Sequence, residues 1–427
     1  MSLLKIKSFG PIKNGYSKED GFIKITPVTV ICGDQATGKS TIAKLYSTCV
    51  WLEKKFDAGE LSKTITKTYF KELLAYHKID SYLKKETIIE YVGDTCKFVY
   101  MDSKPKISAI KDSDYIRPKI VYIPAERNFC SSIPNASSLK GLAKDTYDFL
   151  SDYITAAGSL KNTKYKLPLN GYEYRFDEKT NASFIGDNSQ GYEINIINAS
   201  SGLQALSPMA LTSAYYSHLI DDASSSRNDF SLNQEKRWKE EMAKIDSQLS
   251  LNDAITQYKK KTNNSFKVKP KIGADIYKRF IRIMNSRFIN VVEEPEQNLF
   301  PKSQAAVLHY LLKCFNAQAY NATEKIENQL LITTHSPYIL SFLTISAKAA
   351  ELIEKGVPAV KIEKIIPASA AVLGEKISVY ETKSDGSIEY VKPYKNLPSD
   401  DNELNKLLEE TNEDFSKLLE LEERFCK

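Results

Sequence analysis

One short stretch limits what this chain can become more than any other. Gly33-Asp34-Gln35-Ala36-Thr37-Gly38-Lys39-Ser40 fits the spacing G-x-x-x-x-G-K-[ST]. It follows the β-rich run VTVIC and precedes Thr41 to Phe56, where Ile42, Leu45, Tyr46, Cys49, Val50 and Leu52 recur at helical spacing. The loop therefore joins a strand to a helix. Glycines let such a loop turn its backbone N–H groups inward, and the helix start adds partial positive charge, so the combination suits phosphate. Residues Gly33 to Thr41 are expected to wrap the phosphates of ATP, with Lys39 reaching the β- and γ-phosphates and Ser40 ligating Mg2+. The other reading, an ordinary turn with a solvated lysine, does not explain the flanking strand and helix.

Two later stretches end buried strands in polar groups. Phe288-Ile289-Asn290-Val291-Val292-Glu293-Glu294-Pro295-Glu296 closes a strand with carboxylates. One carboxylate can stand near hydrated Mg2+ and the next near the water that attacks the γ-phosphate, so Glu293 is expected on the metal side and Glu294 as the base. Glu296 falls in the following turn, either at a subunit boundary or as a plain exposed carboxylate, and a solvated acidic turn is the alternative for the whole cluster. Gln329-Leu330-Leu331-Ile332-Thr333-Thr334-His335-Ser336-Pro337 places a histidine after another buried strand, with Ser336-Pro337 marking a helix start. His335 would face the nucleotide and donate a hydrogen bond to the γ-phosphate, although a lone histidine is more often structural. Ser200-Ser201-Gly202-Leu203-Gln204 opens a further helix bearing Leu206, Met209 and Leu211, and taken alone it reads as an ordinary cap.

The rest of the chain reads as mixed structure. Residues 61 to 82 look helical, and TIIEYVGDTCKFVYMD alternates on both sides of a Gly-Asp turn, as a hairpin does. KIVYIPAERNF runs a buried strand into a polar turn, Gly171 to Ile197 is β-rich, and Ile377 to Tyr380 with Ile388 to Val391 flank a Ser-Asp-Gly turn. With 59 Lys plus Arg against 54 Asp plus Glu in 427 residues, the net charge of +5 does not announce a nucleic-acid binder, so any basic contact surface is local. The helical insertion from Asp221 to Lys278 and its flank carry such a run, Lys259 to Arg287, which either meets double-stranded DNA or an acidic partner or is a solvated face. Six scattered cysteines lack the close pairs of zinc ribbons, and four histidines argue against a histidine-metal nuclease. No run approaches the roughly 20 apolar residues that span a bilayer, and Met1 to Gly10 has no leader pattern, so a soluble cytoplasmic protein without a membrane partner is expected.

Taken in order, the four motifs resemble the ABC-type ATPase heads of the RecF and structural-maintenance-of-chromosomes class. GDQATGKST looks like the Walker A loop, SSGLQ like the signature, VVEEPEQNLFP like the Walker B and D-loop, and ITTHSP like the switch histidine. The form EEPE-x-x-L-x-P and the strand YIPAERNF look closer to the AAA-type ATPases of the overcoming-lysogenization-defect and Septu phage-defence families. This resemblance implies an α/β fold of the P-loop NTPase kind, an ABC-ATPase-like head with a mainly parallel central sheet, an antiparallel β subdomain and a helical insertion. Residues 1–220 would form the first part of the head, 221–278 the insertion, 279–398 the second part, and 399–427 an acidic helical tail.

It also implies ATP hydrolysis with ATP and Mg2+ as cofactors, in a homodimer or higher homo-oligomer that buries two ATP molecules between the Walker A loop of one subunit and the signature of the other. Ser201 and Gly202, with Gln204 beside them, would meet the γ-phosphate held by the other subunit. The cycle would gate an effector protein or nucleic acid, as in bacterial anti-phage defence. A DNA-repair ATPase, or a system whose nuclease is another polypeptide, are the alternatives. The chain departs from the family at three places: Gln35 where Asn is usual, Leu203 at the second signature glycine, and Glu293 where many members have Asp.

Overall fold

The structure, a computed structural model, describes residues 1–61, 64–110, 115–133, 141–160, 162–187, 190–217, 232–245, 247–250, 253, 287–317, 327–398 and 401–425. The first strands of the chain part company between two sheets. β1 (Ser2–Lys7) and β3 (Phe22–Ile25) join β5 (Ile88–Val92), β6 (Cys96–Met101) and β7 (Lys104–Ala109) in an antiparallel sheet ordered β3-β1-β5-β6-β7. The expected hairpin is its β5-β6 pair. A second antiparallel sheet holds β9 (Tyr165–Lys166), β10 (Tyr172–Asp177), β11 (Ala182–Asp187) and β12 (Tyr192–Asn195) in the order β12-β11-β10-β9.

The largest sheet has seven strands: β2 (Gly15–Tyr16), β4 (Val28–Gly33), β8 (Pro118–Ile123), β13 (Arg287–Glu293), β14 (Gln329–Thr334), β15 (Ile377–Thr382) and β16 (Ser387–Tyr390), ordered β2-β16-β15-β4-β14-β13-β8. The five strands β15, β4, β14, β13 and β8 run parallel, and only the β15-β16 pair is antiparallel. Their sequences are nearly unbroken apolar runs because both faces are covered. Along β4, Val28, Val30 and Cys32 enter one core and Ile31 the other, and β14 divides Leu330 and Ile332 from Leu331 in the same way.

α1 (Lys39–Asp57) lies between this sheet and the five-stranded one, and Tyr46 donates to Gln329 Oε1 at 2.5 Å. The opposite face is covered by α4 (Lys144–Ser159), α5 (Ser201–Tyr216), α7 (Pro301–Asn316) and α8 (Pro337–Glu354). The chain is a mixed α/β protein whose largest sheet is mostly parallel, with the expected antiparallel β substructure.

The expected helix over 61–82 is shorter. α2 (Lys67–Tyr76) starts where the Thr66 hydroxyl accepts from the Tyr69 amide, and it ends before Lys78, which adopts φ +57°. The expected tail helix is α9 (Glu403–Phe425), whose first amide donates to Glu381 Oε1 at 2.9 Å. Of the insertion, α6 (Leu232–Ala243) and its flank are described; Trp238 is buried and donates to Leu249 O at 2.7 Å. The basic run from Lys259 to Arg282 lies outside the described residues. Five cysteines are free and buried, and Cys426 lies outside the described residues. Among the described residues no helix is long and apolar enough to cross a membrane.

Candidate functional site

Parallel pairing brings three strand ends to one edge of the large sheet. Register sets Cys32 beside Thr334 and Thr333 beside Glu293, so the loop after β4, the carboxylates after β13 and the histidine after β14 leave the sheet side by side. That edge is where an open α/β sheet presents its crevice.

The Gly33–Ser40 loop needs backbone freedom that its sequence supplies. Gly33 and Gly38 have φ +135° and +112°, and Ala36 is also left-handed at +60°. A Cβ on Gly33 would stand 2.4 Å from Thr382 O, so only glycine fits there. Asp34 caps the next residue, its Oδ1 accepting from the Gln35 amide at 2.6 Å. Thr37 donates to Asp34 O at 2.7 Å and meets the Thr382 hydroxyl at 2.6 Å, which ties the loop to β15.

Lys39 is buried and donates to Asp34 O at 2.5 Å, and Thr41 is buried behind it while Ser40 stays partly open. The amides of residues 37 to 41 have no acceptor among the described residues, although four of them belong to buried residues. Buried N–H groups left free at a helix start make a fitting cradle for an anion. Burial lowers the Lys39 ammonium below its ordinary range, while the charge of Glu294, ahead of Cys32, Asp34 and Glu296, opposes that.

Glu294 and His335 meet at this cradle. His335 Nε2 lies 3.3 Å from Glu294 Oε1. That hydrogen bond is the largest influence holding the Glu294 carboxyl below its ordinary range; desolvation opposes it, and the charges of His335, Lys39 and Arg127 add to it. Glu294 itself has φ +43°, a conformation costing a glutamate on the order of 1 kcal/mol or more.

Glu296 is not the plain exposed carboxylate of the second reading: its Oε1 accepts from the His335 amide at 2.7 Å and from the Thr334 hydroxyl at 2.8 Å. Its Oε2 is buried without a partner among the described residues, and desolvation raises this carboxyl above its ordinary range. Glu296 thus pins the histidine loop to the acidic turn.

Glu293 is buried, and its carboxylate accepts from Tyr122 OH at 2.5 Å and from the Ala125 amide at 3.3 Å. Each oxygen keeps lone-pair capacity for a metal, but both are already anchored toward β8. Among the described residues no three His, Cys, Asp or Glu side chains gather as a metal cluster. A magnesium held mainly by phosphate oxygens and water needs only a hydroxyl such as Ser40 and one carboxylate from the protein.

The Ser200–Gln204 stretch adjoins the acidic turn, since Gly202 lies against Asn298. Among the described residues no hydrogen bond joins it to residues 33–41. Ser201 is exposed at the first turn of α5, and Gly202 packs where a Cβ would stand 2.8 Å from Asn298 O. The Gln204 side-chain amide donates to Ile196 O at 3.2 Å and Ile197 O at 2.8 Å, so it faces inward and fixes the helix entry.

One residue that sequence reasoning passed over is central. Arg127, in the turn of YIPAERNF, is fully buried and donates to the carbonyls of Ala205, Pro124, Glu293 and Glu294. Its sequence signal was limited to a charged residue following a buried strand. No protein-family model matches the chain, and no curated protein is similar to it.

Proposed function

We propose that the chain binds ATP with Mg2+ at the Gly33–Thr41 loop and hydrolyses it. The observation that carries this reading is the meeting of Lys39, Glu294 and His335 around buried, unbonded amides at one sheet edge. Ser40 and Glu293 would hold the metal, which supplies charge neutralisation for the phosphates. Loop amides and Lys39 bind and orient the triphosphate. Glu294 orients the attacking water and takes its proton as the new P–O bond forms and the bond to the β-phosphate oxygen breaks, releasing ADP.

A carboxylate held low is a weak base, so its contribution is mostly orientation. When a γ-phosphate arrives, His335 can exchange its hydrogen bond from Glu294 to the phosphate. Losing its strongest restraint, Glu294 becomes more basic at the moment substrate is present.

The wider reading is a homodimer in which Ser201 and Gly202 face the ATP of the other copy, with the cycle gating an effector protein or nucleic acid in anti-phage defence. The exposed Ser201 at a helix start supports the first part; the rest stands on the motif resemblance. ATP turnover by the full chain tests the core claim. Lys39→Ala is expected to lose nucleotide binding, and Glu294→Gln to keep binding while turnover falls by about 100-fold or more. Light scattering of Glu294→Gln with ATP should give twice the mass found without it. A wild-type chain that neither binds nor turns over ATP would sink the proposal.

A further inference from the structure

Arg127 makes four hydrogen bonds, all to backbone carbonyls: Nε to Ala205 O at 3.1 Å, Nη1 to Pro124 O at 3.2 Å and Glu293 O at 2.7 Å, and Nη2 to Glu294 O at 2.8 Å. Taking a guanidinium out of water is costly, and burial pulls Arg127 down to about 10. No carboxylate oxygen is among its acceptors. The planar fork is spent on joining three chain segments: its own turn, the acidic turn and the first turns of α5. Both backbone groups of the left-handed Glu294 are thereby tied, since its amide donates to Thr333 O at 2.9 Å.

The α5 side is prepared for this contact. Pro208 has no N–H to offer the carbonyl of Gln204, and that carbonyl accepts instead from Ser131 Oγ at 2.5 Å, within α3 (Phe129–Ser132). Residues 124–132 thus bracket the start of α5 from one side, while Gly202 packs against the Asn298 backbone on the other.

We propose that Arg127 is a positioning residue that locks the Glu294 turn to the start of helix α5, so that the two move as one unit. Its catalytic consequence rests on the ATPase reading: a displacement of α5 when a partner engages Ser201 and Gly202 would be delivered to the water-orienting carboxylate through one rigid guanidinium.

The test is hydrogen–deuterium exchange and ATP turnover on the full-length chain with Arg127→Lys, which keeps the charge but loses the fork. Exchange is expected to quicken about tenfold in both 201–206 and 293–299 and to stay unchanged in 28–33. Turnover should fall about 30-fold with KM for ATP within about threefold, because substrate binding is not what Arg127 organises. Loosening of one segment without the other, or unchanged kcat in a wild type that hydrolyses ATP, overturns the proposal.

If the wild type does not hydrolyse ATP, the functional reading fails while the exchange result still decides the lock. Should Arg127→Lys not fold, wild-type exchange in graded low denaturant replaces it. The two segments must then show one opening free energy and one denaturant slope, and different slopes refute the lock.

Discussion

The Glu294 carboxylate combines a left-handed backbone with a hydrogen bond from His335, and both features bear on its titration. Its folded pKa lies below the free value, so the pair stabilises the fold above the unfolded pKa, and that stability is lost as pH falls through the folded one. In His335→Ala the largest restraint goes, and Glu294 should titrate at higher pH. The acid limb of the pH profile of kcat/KM is then expected to move up, and an unmoved limb would mean that Glu294 is not the group being titrated. Gly33 offers a purely structural check: Gly33→Ala must place its Cβ against Thr382 O in a left-handed backbone, and urea unfolding should show a loss of about 2–4 kcal/mol. Gly33, Lys39 and Glu294 were legible in the sequence because their chemistry is tied to residue type and spacing. Arg127 and Glu296 were not, since a lone charged residue in a turn reads the same whether it faces water or clamps four carbonyls.

α5 shows the same division among elements. Its apolar run and its start at Ser201 were plain in the sequence, while the reason a buried helix tolerates Pro208 appears only when Ser131 is seen on the carbonyl that the proline leaves free. Ser131→Ala should strand that acceptor in the core at a cost of about 1–2 kcal/mol, lowering the thermal midpoint by about 2–6 °C. No change would show that water reaches the carbonyl. The run VTVIC likewise marked β4 as a strand, but the parting of β1 and β3 from it was hidden, because short strands in a row carry no mark of which sheet will receive them. The limits of α2 depended on the Thr66 cap and the left-handed Lys78, details that the helical composition of 61–82 concealed.

Seen across the whole molecule, α1 is a strut between two sheets, and its far end carries a charge under tension. Lys54 donates to Pro118 O at 2.7 Å, and burial, reinforced by Arg117, Lys119 and Lys55, lowers its pKa to about 7. Between about pH 7 and the ordinary lysine value the unfolded chain holds this proton more firmly than the folded one, so this group makes the fold more stable as pH rises through that window. Thermal midpoints measured from pH 7 to 10 should therefore rise more steeply in the wild type than in Lys54→Met; parallel curves would refute the assignment. The order of the large sheet has a further consequence. Both strands that flank β4 come from much later in the chain, β14 from Gln329 and β15 from Ile377. During translation the strand leading into the loop therefore leaves the ribosome with neither edge satisfied. It must wait for Thr382 to be made before its second neighbour can close against it. A nascent chain stalled before that point carries an open, apolar β edge, the form most in need of chaperone cover.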